Sequence, residues 1–198
     1  TRKESSAASD VYKRQAMNLD SRPLAPHPYA EALPQLPSFT LTSENLQEGV
    51  AMPRDFSGEG ANLSPQLSWS GAPAQTASYV LSCFDPDAPT PSGYWHWTVV
   101  DIPPSVTSLP LGAGVDDATI QAVTEGRAFH IRNDTGVFAY DGPFPPAGDR
   151  EHRYVFAVHA LKIPTLELAP DTATNATVHF MSLFNGLARA TLTATYRR

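Results

Sequence analysis

Proline restricts the fold of this chain more than any other residue type, because nineteen prolines are spread along its 198 residues. A proline breaks the interior of a helix and donates no backbone hydrogen bond, so this frequency disfavours a helical bundle and favours short strands joined by turns. The length suits one domain with a full hydrophobic core better than two domains. The sequence therefore predicts a single, mostly β domain.

Apolar runs place the individual elements. The two strongest predicted strands are residues 77–84 and 95–102, and a long apolar run predicts a third from Val155 to Ile163. Weaker patterns predict four more strands, at residues 38–42, 64–69, 127–133 and 191–196. Helical spacing between residues 178 and 188 predicts one helix, and the candidate N-caps are Thr172, Thr174 and Asn175. The expected fold is a sandwich or a large mixed sheet with one or two helices against it.

The chain divides into three segments. Residues 1–16 show no helical or strand period and hold two of the three lysines, so we expect a disordered, non-native extension there, with Met17 as the start. Residues 17–37 are rich in proline and predict an extended arm laid over the domain. Residues 38–198 form the domain itself. Within it, residues 105–117 are expected to be a connection, with Asp116 and Asp117 solvated.

Charge and cysteine content limit the possible partners. Subtracting the four basic and two acidic residues of 1–16 from totals of 14 and 20 leaves ten basic against eighteen acidic side chains. Such an acidic surface repels phosphate backbones and argues against nucleic acid as a partner. No apolar run has the length of a transmembrane helix. The single cysteine, Cys83, cannot form a disulfide within the chain. This fits a reducing compartment, or any place where a well-packed core makes disulfides unnecessary, and we expect a cytoplasmic location.

A stiff acidic loop, Asp85-Pro86-Asp87-Ala88-Pro89, ends the first of the two strongest strands. Proline holds the residue before it extended, which fixes the directions of Asp85 and Asp87. The next strand begins Trp95-His96-Trp97, where alternation of side chains predicts that His96 faces away from both tryptophans. An acidic loop beside an oriented histidine is typical of the rim of a pocket.

A second proline-rich loop, residues 140–150, leads into His152-Arg153-Tyr154 at the head of another strand. If the strands that carry His96 and His152 are neighbours, the two imidazoles, Asp85 and Tyr154 would line one small cavity. The sequence leaves this adjacency open.

The two loops resemble the phosphatidylethanolamine-binding protein (PEBP) family, in the variant of its bacterial Raf-kinase-inhibitor-like branch. The matching segments are Asp85-Pro86-Asp87-Ala88-Pro89, Gly93-Tyr94-Trp95-His96-Trp97, Gly142-Pro143-Phe144-Pro145-Pro146-Ala147-Gly148 and His152-Arg153-Tyr154. The resemblance covers roughly residues 36–196. It implies a β-sandwich of two sheets with one or two flanking helices and a small anion pocket. By position, the implied ligand-binding residues are Asp85, His96, Pro146, His152 and Tyr154.

The chemistry of these residues suits a phosphoryl group. Imidazole N–H groups, the Tyr154 hydroxyl and loop N–H groups can donate to its oxygens. Asp85 repels an anion, so we expect it to orient a histidine or to accept the ammonium of phosphoethanolamine. Because bound phosphate favours protonated histidine, affinity should strengthen as the pH falls from about 7.5 toward 6, given a histidine pKa near 6.5.

The remaining polar residues have simpler interpretations. Asp87 is expected to have a turn role, and Arg153 is expected to pair with a buried carboxylate such as Asp87. His130, His159 and His179 lack a loop context and are expected to be structural.

Three functions remain open. The first is a protein that binds a small anionic or phosphoryl headgroup. The second is an inhibitor of a kinase or protease that acts through the rim of the same pocket. The third is a metal-dependent or acid–base enzyme, which we disfavour because no nucleophile motif occurs and Cys83 lies in a buried strand. We therefore expect no enzyme activity, no catalytic or metal-binding residues and no cofactor, in a monomer or homodimer.

Overall fold

The structure is a computed structural model that describes residues 19–198. The expectation for residues 1–16 lies outside the described residues. The described part contains eight strands and two α-helices: β1 (Thr40–Thr42), β2 (Leu67–Ser70), β3 (Ser78–Asp85), β4 (Tyr94–Ile102), β5 (Ser108–Leu109), α1 (Asp117–Val123), β6 (Phe129–His130), β7 (His152–Leu161), α2 (Asn175–Asn185) and β8 (Gly186–Tyr196). No helix within residues 19–198 is long and apolar enough to cross a bilayer.

The strands form two antiparallel sheets. One sheet has five strands in the order β6-β4-β3-β7-β8, and the other has three in the order β1-β2-β5. Leu41 and Leu67 of the smaller sheet share one buried cluster with Leu81, Trp97 and Phe156 of the larger sheet. The main core therefore lies between the sheets, as in a sandwich, and the predicted mostly β, two-sheet domain is confirmed.

The outer face of the five-stranded sheet is also covered. Val80, Val100 and Leu161 point to this face and pack with Val178 of α2 in a second buried cluster. A strand that is buried on both faces needs apolar residues at successive positions. This requirement explains why β3, β4 and β7 are nearly continuous apolar runs in the sequence, and why they were the easiest strands to predict.

Residues 105–117 are not only a connection, as predicted, because they contain β5 and the first residue of α1, while the two aspartates at their end keep the expected exposure to solvent. Asp116 caps this helix by accepting the backbone N–H of Thr119 at 2.7 Å. One oxygen of Asp117 accepts both the backbone N–H of His130 at 2.8 Å and its ring Nδ1–H at 2.7 Å. Both carboxylates are therefore bonded to the protein, and His130 is a structural residue.

Helix α2 begins at one of the predicted caps, since Thr174 accepts the backbone N–H of Thr177. It ends three residues before the predicted limit, because β8 begins at Gly186 and is five residues longer than expected at its start. Strand β6 is the reverse case: only Phe129 and His130 of the predicted strand 127–133 pair with β4.

Residues 19–37 run along the outside of the large sheet and include two short helical turns, at Leu19–Ser21 and Pro28–Ala32. Tyr29 is buried with its ring centroid 5.3 Å from that of His159, and the guanidinium of Arg189 stacks on it at 4.4 Å. Arg153 of β7 donates to the carbonyl of Ala25 at 2.6 Å. The segment thus packs the side chain of Tyr29 on the large sheet and places its backbone beside Arg153.

Candidate ligand-binding site

The two proline-rich loops meet at one end of the five-stranded sheet. Strand β3 ends at Asp85, the antiparallel β7 begins at His152, and the pairing of Phe84 with Val155 brings these ends together. Since side chains alternate along a strand, Asp85, His152 and Tyr154 point to the same inner face. The adjacency that the sequence left open is present.

His96 reaches this face through a β-bulge in β4. Trp97 pairs with Cys83 and Trp95 with Phe84, so His96 is an extra residue in the ladder. Trp97 lies in the main core, whereas Trp95 packs on the outer face against His179, with ring centroids 4.0 Å apart. The expectation that His96 faces away from both tryptophans is therefore wrong. The bulge separates the tryptophans and places the ring of His96 5.1 Å from that of Tyr154.

A cavity of about 480 Å³ occupies the junction. All five predicted residues line it: Asp85, His96, Pro146, His152 and Tyr154. The aromatic rings of Tyr94 and Phe144 add to its wall. Gly142 closes one side, because a Cβ at this position would overlap the carbonyl oxygen of Phe56.

His152 is held at both ring nitrogens. Its Nδ1 lies 2.7 Å from Oδ2 of Asp85, and its Nε2 lies 3.0 Å from Oδ2 of Asp149. Asp149 also accepts a hydrogen bond from the guanidinium of Arg22 at 2.7 Å. His152 and both carboxylates are almost completely buried. His152 therefore lines the cavity but has no ring N–H left for a ligand.

The two carboxylates favour the charged form of His152. Burial by itself lowers the pKa of His152, but the hydrogen bonds and negative charges of Asp85 and Asp149 outweigh it and raise the pKa. Burial likewise opposes ionisation of Asp149, yet its hydrogen bonds from His152 and Arg150 and the charge of Arg22 lower its pKa. The group is thus a buried imidazolium between two carboxylates, with Arg22 balancing the second carboxylate.

His96 is held at one ring nitrogen only. Its Nδ1 lies 2.7 Å from the carbonyl oxygen of Asp141, whose N–H donates back to the carbonyl of His96 at 3.0 Å. A carbonyl can only accept, so Nδ1 carries the proton. No residue within the described part of the chain bonds to Nε2. Burial lowers the pKa of His96 more than the charges of Asp85, Asp141 and Asp134 raise it.

The hydroxyl of Tyr154 is the other polar group without a bond. It is buried and lies close to the carboxylate of Asp85, but it forms no hydrogen bond of normal length and angle among residues 19–198. Burial and the negative charge of Asp85 raise the pKa of Tyr154, so it stays protonated and can donate. Buried polar groups are rarely left unpaired, which marks this hydroxyl as a candidate ligand contact.

The two aspartates of the first loop do not divide their roles as predicted. Asp85 makes the turn, since its Oδ1 accepts the N–H groups of Asp87 and Ala88 at 2.8 and 3.0 Å. Asp87 instead forms a two-point ion pair with Arg153, at 2.7 Å to Nε and 2.8 Å to the terminal nitrogen. The predicted Asp87–Arg153 pair is confirmed, and Asp85 combines the turn with a position in the cavity wall.

The remaining histidines lie away from the cavity. His159 is buried and His179 is partly exposed, with ring centroids 5.6 Å apart, on the outer face of the large sheet. Burial lowers the pKa of both, for His179 to about 4, so both are neutral near pH 7. Within residues 19–198, no group of three or more histidine, cysteine, aspartate or glutamate side chains is arranged to hold a metal ion.

Comparison with known families agrees with this geometry. Residues 42–197, which include both loops and the cavity, match the family model described as phosphatidylethanolamine-binding protein. The chain belongs to the phosphatidylethanolamine-binding protein family.

Two UPF0098 proteins from Escherichia coli (strain K12), YbhB and YbcL, are similar to the chain. It is 42% identical to YbhB over 161 residues, which are 79% of this chain and 98% of YbhB. It is also 42% identical to YbcL over 167 residues, which are 82% of this chain and 89% of YbcL. The crystal structure of E. coli YbcL matches with a TM-score of 0.76 at 40% identity, covering 81% of this chain and 99% of that one.

Three residues of the PEBP site were missed by sequence reasoning: Asp149, Arg22 and Asp141. Asp149 stands three positions before His152 in a loop already recognised as important, so its proximity was a usable signal. Arg22 gave none, because it is 127 positions from Asp149 and lies in the proline-rich segment. Asp141 acts through its backbone carbonyl, which any residue type would supply.

Proposed function

We propose that this PEBP-family protein binds a small phosphoryl headgroup of the phosphoethanolamine type in the cavity between the two loops. The observation that carries the proposal is that Nε2 of His96 and the hydroxyl of Tyr154, which both lie in the cavity wall, have no hydrogen-bond partner among residues 19–198. A buried hydroxyl without a partner, such as that of Tyr154, is costly, and a ligand oxygen can accept its hydrogen bond.

The cavity suits a headgroup and not a large ligand. Its volume of about 480 Å³ lies in the lower part of the range for small-molecule sites. Aromatic and proline side chains form much of the wall, and the polar groups converge from β4 and β7. Asp85 lies beside them and still has one lone-pair direction unused, which is where the ammonium of phosphoethanolamine would be accepted.

Binding is favoured over catalysis by the state of the possible nucleophiles. Cys83 is buried, and burial raises the pKa of its thiol well above the ordinary value. The hydroxyls of Thr90 and Thr135 in the wall donate to Gly93 and Asn133, not to a histidine. His152 is held as a cation between carboxylates and has no free lone pair to act as a base.

Calorimetric titration with phosphoethanolamine tests the proposal. We expect saturable one-to-one binding that Tyr154→Phe weakens and that Asp171→Asn, an exposed change outside the cavity, leaves unchanged. Absence of binding to the unaltered protein, or equal affinity for all three proteins, would contradict it.

A second candidate, inhibition of a kinase or protease through the rim, is favoured by one observation. Phe144 at the mouth is 57% exposed, and the guanidinium of Arg198 lies 4.0 Å from its ring centroid. An exposed aromatic residue beside a cation is a common contact for a protein partner. This candidate requires a defined stoichiometric complex that Phe144→Ala and an excess of phosphoethanolamine both dissociate.

A location in the cytoplasm, where the free Cys83 would stay reduced, is part of the same proposal.

A further inference from the structure

The cavity wall contains few donors for an anion. None of the lining residues described by the structure is arginine or lysine. Pro145 and Pro146 have no N–H, and the N–H of Gly142 already donates to Asn62. The side-chain hydroxyls left for a ligand belong to Tyr94 and Tyr154. A phosphoryl group with several charged oxygens would therefore meet only two neutral side-chain donors.

The charges around the cavity also disfavour a dianion. The imidazolium of His152 is already balanced by Asp85, and Arg22 is balanced by Asp149. The carboxylate of Asp141 lies in the wall as well, where it accepts a hydrogen bond from Asn62 at 3.2 Å. Among the described residues that line the cavity, each added negative charge on the ligand thus meets carboxylates and no arginine or lysine that would offset it.

The remaining ring nitrogen of His96 is an acceptor. Since Nδ1–H is committed to the carbonyl of Asp141, neutral His96 presents the lone pair of Nε2 to the cavity. The groups that face this ring are Tyr94 on its own strand, Asp85 and Tyr154 from β3 and β7, and Asp141 and Asp134 from loops. Burial outweighs the three carboxylates and keeps the pKa of His96 below its ordinary value.

We infer that the cavity selects oxyacid groups that carry a proton, such as a phosphoryl monoanion, over groups of the same shape that carry none. The ligand O–H donates to Nε2 of His96, while the hydroxyl of Tyr154 donates to another ligand oxygen. Binding changes hydrogen bonds only, and no covalent bond is made or broken. The inference rests on the proposed function and names the protonation state and the chemical class that the cavity accepts, from a headgroup or from free phosphate.

Two ethanolamine esters of matched shape provide the test. Phosphoethanolamine gains a proton below its second phosphate pKa of about 6, whereas the sulfate ester of ethanolamine has no proton to offer near neutral pH. At about pH 5.5 we expect the phosphate ester to bind at least tenfold more tightly than the sulfate ester. The affinity of the protein for phosphoethanolamine should fall about tenfold for each pH unit well above the second phosphate pKa of this ligand. Inorganic phosphate and sulfate, compared in the same way, show whether a free anion follows the same rule.

The outcomes distinguish a failure of the proposed function from a failure of the inference about the protonation state of the ligand. Equal binding of the phosphate and sulfate esters at pH 5.5 would overturn the inference and leave the proposed function standing. Binding of neither ester would overturn both. His96→Gln, which offers an amide N–H, should reduce the preference between the esters to less than about threefold, while Asp171→Asn should keep it. In the unaltered protein, nitrogen NMR of the bound complex should show Nε2 of His96 without its own proton, and an imidazolium signal would overturn the inference.

Discussion

Replacing Asp149 by asparagine tests the buried charge network beside the cavity. Asp149 accepts hydrogen bonds from Nε2 of His152 at 3.0 Å, from Arg22 at 2.7 Å and from the N–H of Arg150 at 2.8 Å. Removing one partner of a buried ion pair costs about 3–5 kcal/mol. Asparagine keeps one acceptor oxygen, and the Arg22 side chain is 26% exposed. We therefore expect Asp149→Asn to lower the free energy of unfolding by about 2–4 kcal/mol near pH 6.

The size of this loss should depend on pH in a defined direction. Because folding raises the pKa of His152, its protonation stabilises the folded protein. This contribution is fully present below the unfolded pKa of about 6.5 and disappears as the pH rises through the raised folded pKa. Asp149→Asn removes part of the increase in the pKa of His152. The loss in free energy of unfolding should therefore be larger at pH 6 than at pH 9. The loss of the negative charge opposite Arg22 is the same at both pH values.

Urea unfolding at the two pH values measures both quantities. A loss of this size corresponds to a fall of about 5–15 °C in melting temperature for a chain of this length. Carbon or nitrogen NMR of the His152 ring should show a lower pKa in the variant. Asp171→Asn, an exposed aspartate without an ion pair among the described residues, is the matched control. A loss in free energy of unfolding that is the same for Asp149→Asn and the control, or that is larger at pH 9 than at pH 6, would contradict the proposed role of the charge network.

Three further substitutions test other contacts in and around the cavity. Tyr154→Phe removes a buried hydroxyl that has no partner, so the free energy of unfolding should stay the same or rise by up to about 1 kcal/mol, while phosphoethanolamine affinity falls about 5–20-fold. A marked loss of stability in urea would show that the hydroxyl is already bonded. Gly93→Ala should destabilise by more than about 1 kcal/mol, because Gly93 has φ +67° and a Cβ there would overlap the ring of Phe84. Gly126→Ala, with φ +73° and open space, measures the backbone contribution alone, and an equal cost would remove the steric argument. Arg153→Lys should cost about 1–3 kcal/mol in chemical unfolding, since lysine cannot make the two-point contact with Asp87; an unchanged midpoint would contradict it.

The fold followed from the sequence where burial dictates residue type. Strands β3 and β7 are buried on both faces and therefore appear as long apolar runs, and their predicted limits are close to the observed ones. Helix α1 was missed because only Ile120 of its seven residues is buried hydrophobic surface, which leaves no apolar period to detect. Strand β6 was overestimated because only two of its residues find a partner strand.

The residues of the candidate site could be predicted from the sequence, but the hydrogen bonds between them could not. The residues Asp85, His96, His152 and Tyr154 lie at or near the ends of strands that adjoin the two proline-rich loops, where the sequence marks them. Strict alternation misplaced His96 relative to its tryptophans, since a bulge adds one residue and has no reliable sequence signal. The hydrogen bonds of His152 to Asp149, and of Asp149 to Arg22, depend on tertiary contacts that residue spacing does not encode.

A crystal structure of the protein with phosphoethanolamine is the most direct test of the central claim, that the two loops form a phosphoryl site. We expect electron density for the phosphorus within the cavity, with one oxygen in hydrogen-bond range of Nε2 of His96 and another in range of the Tyr154 hydroxyl. Density for the ligand outside the cavity, or an empty cavity in crystals saturated with the compound, would contradict it.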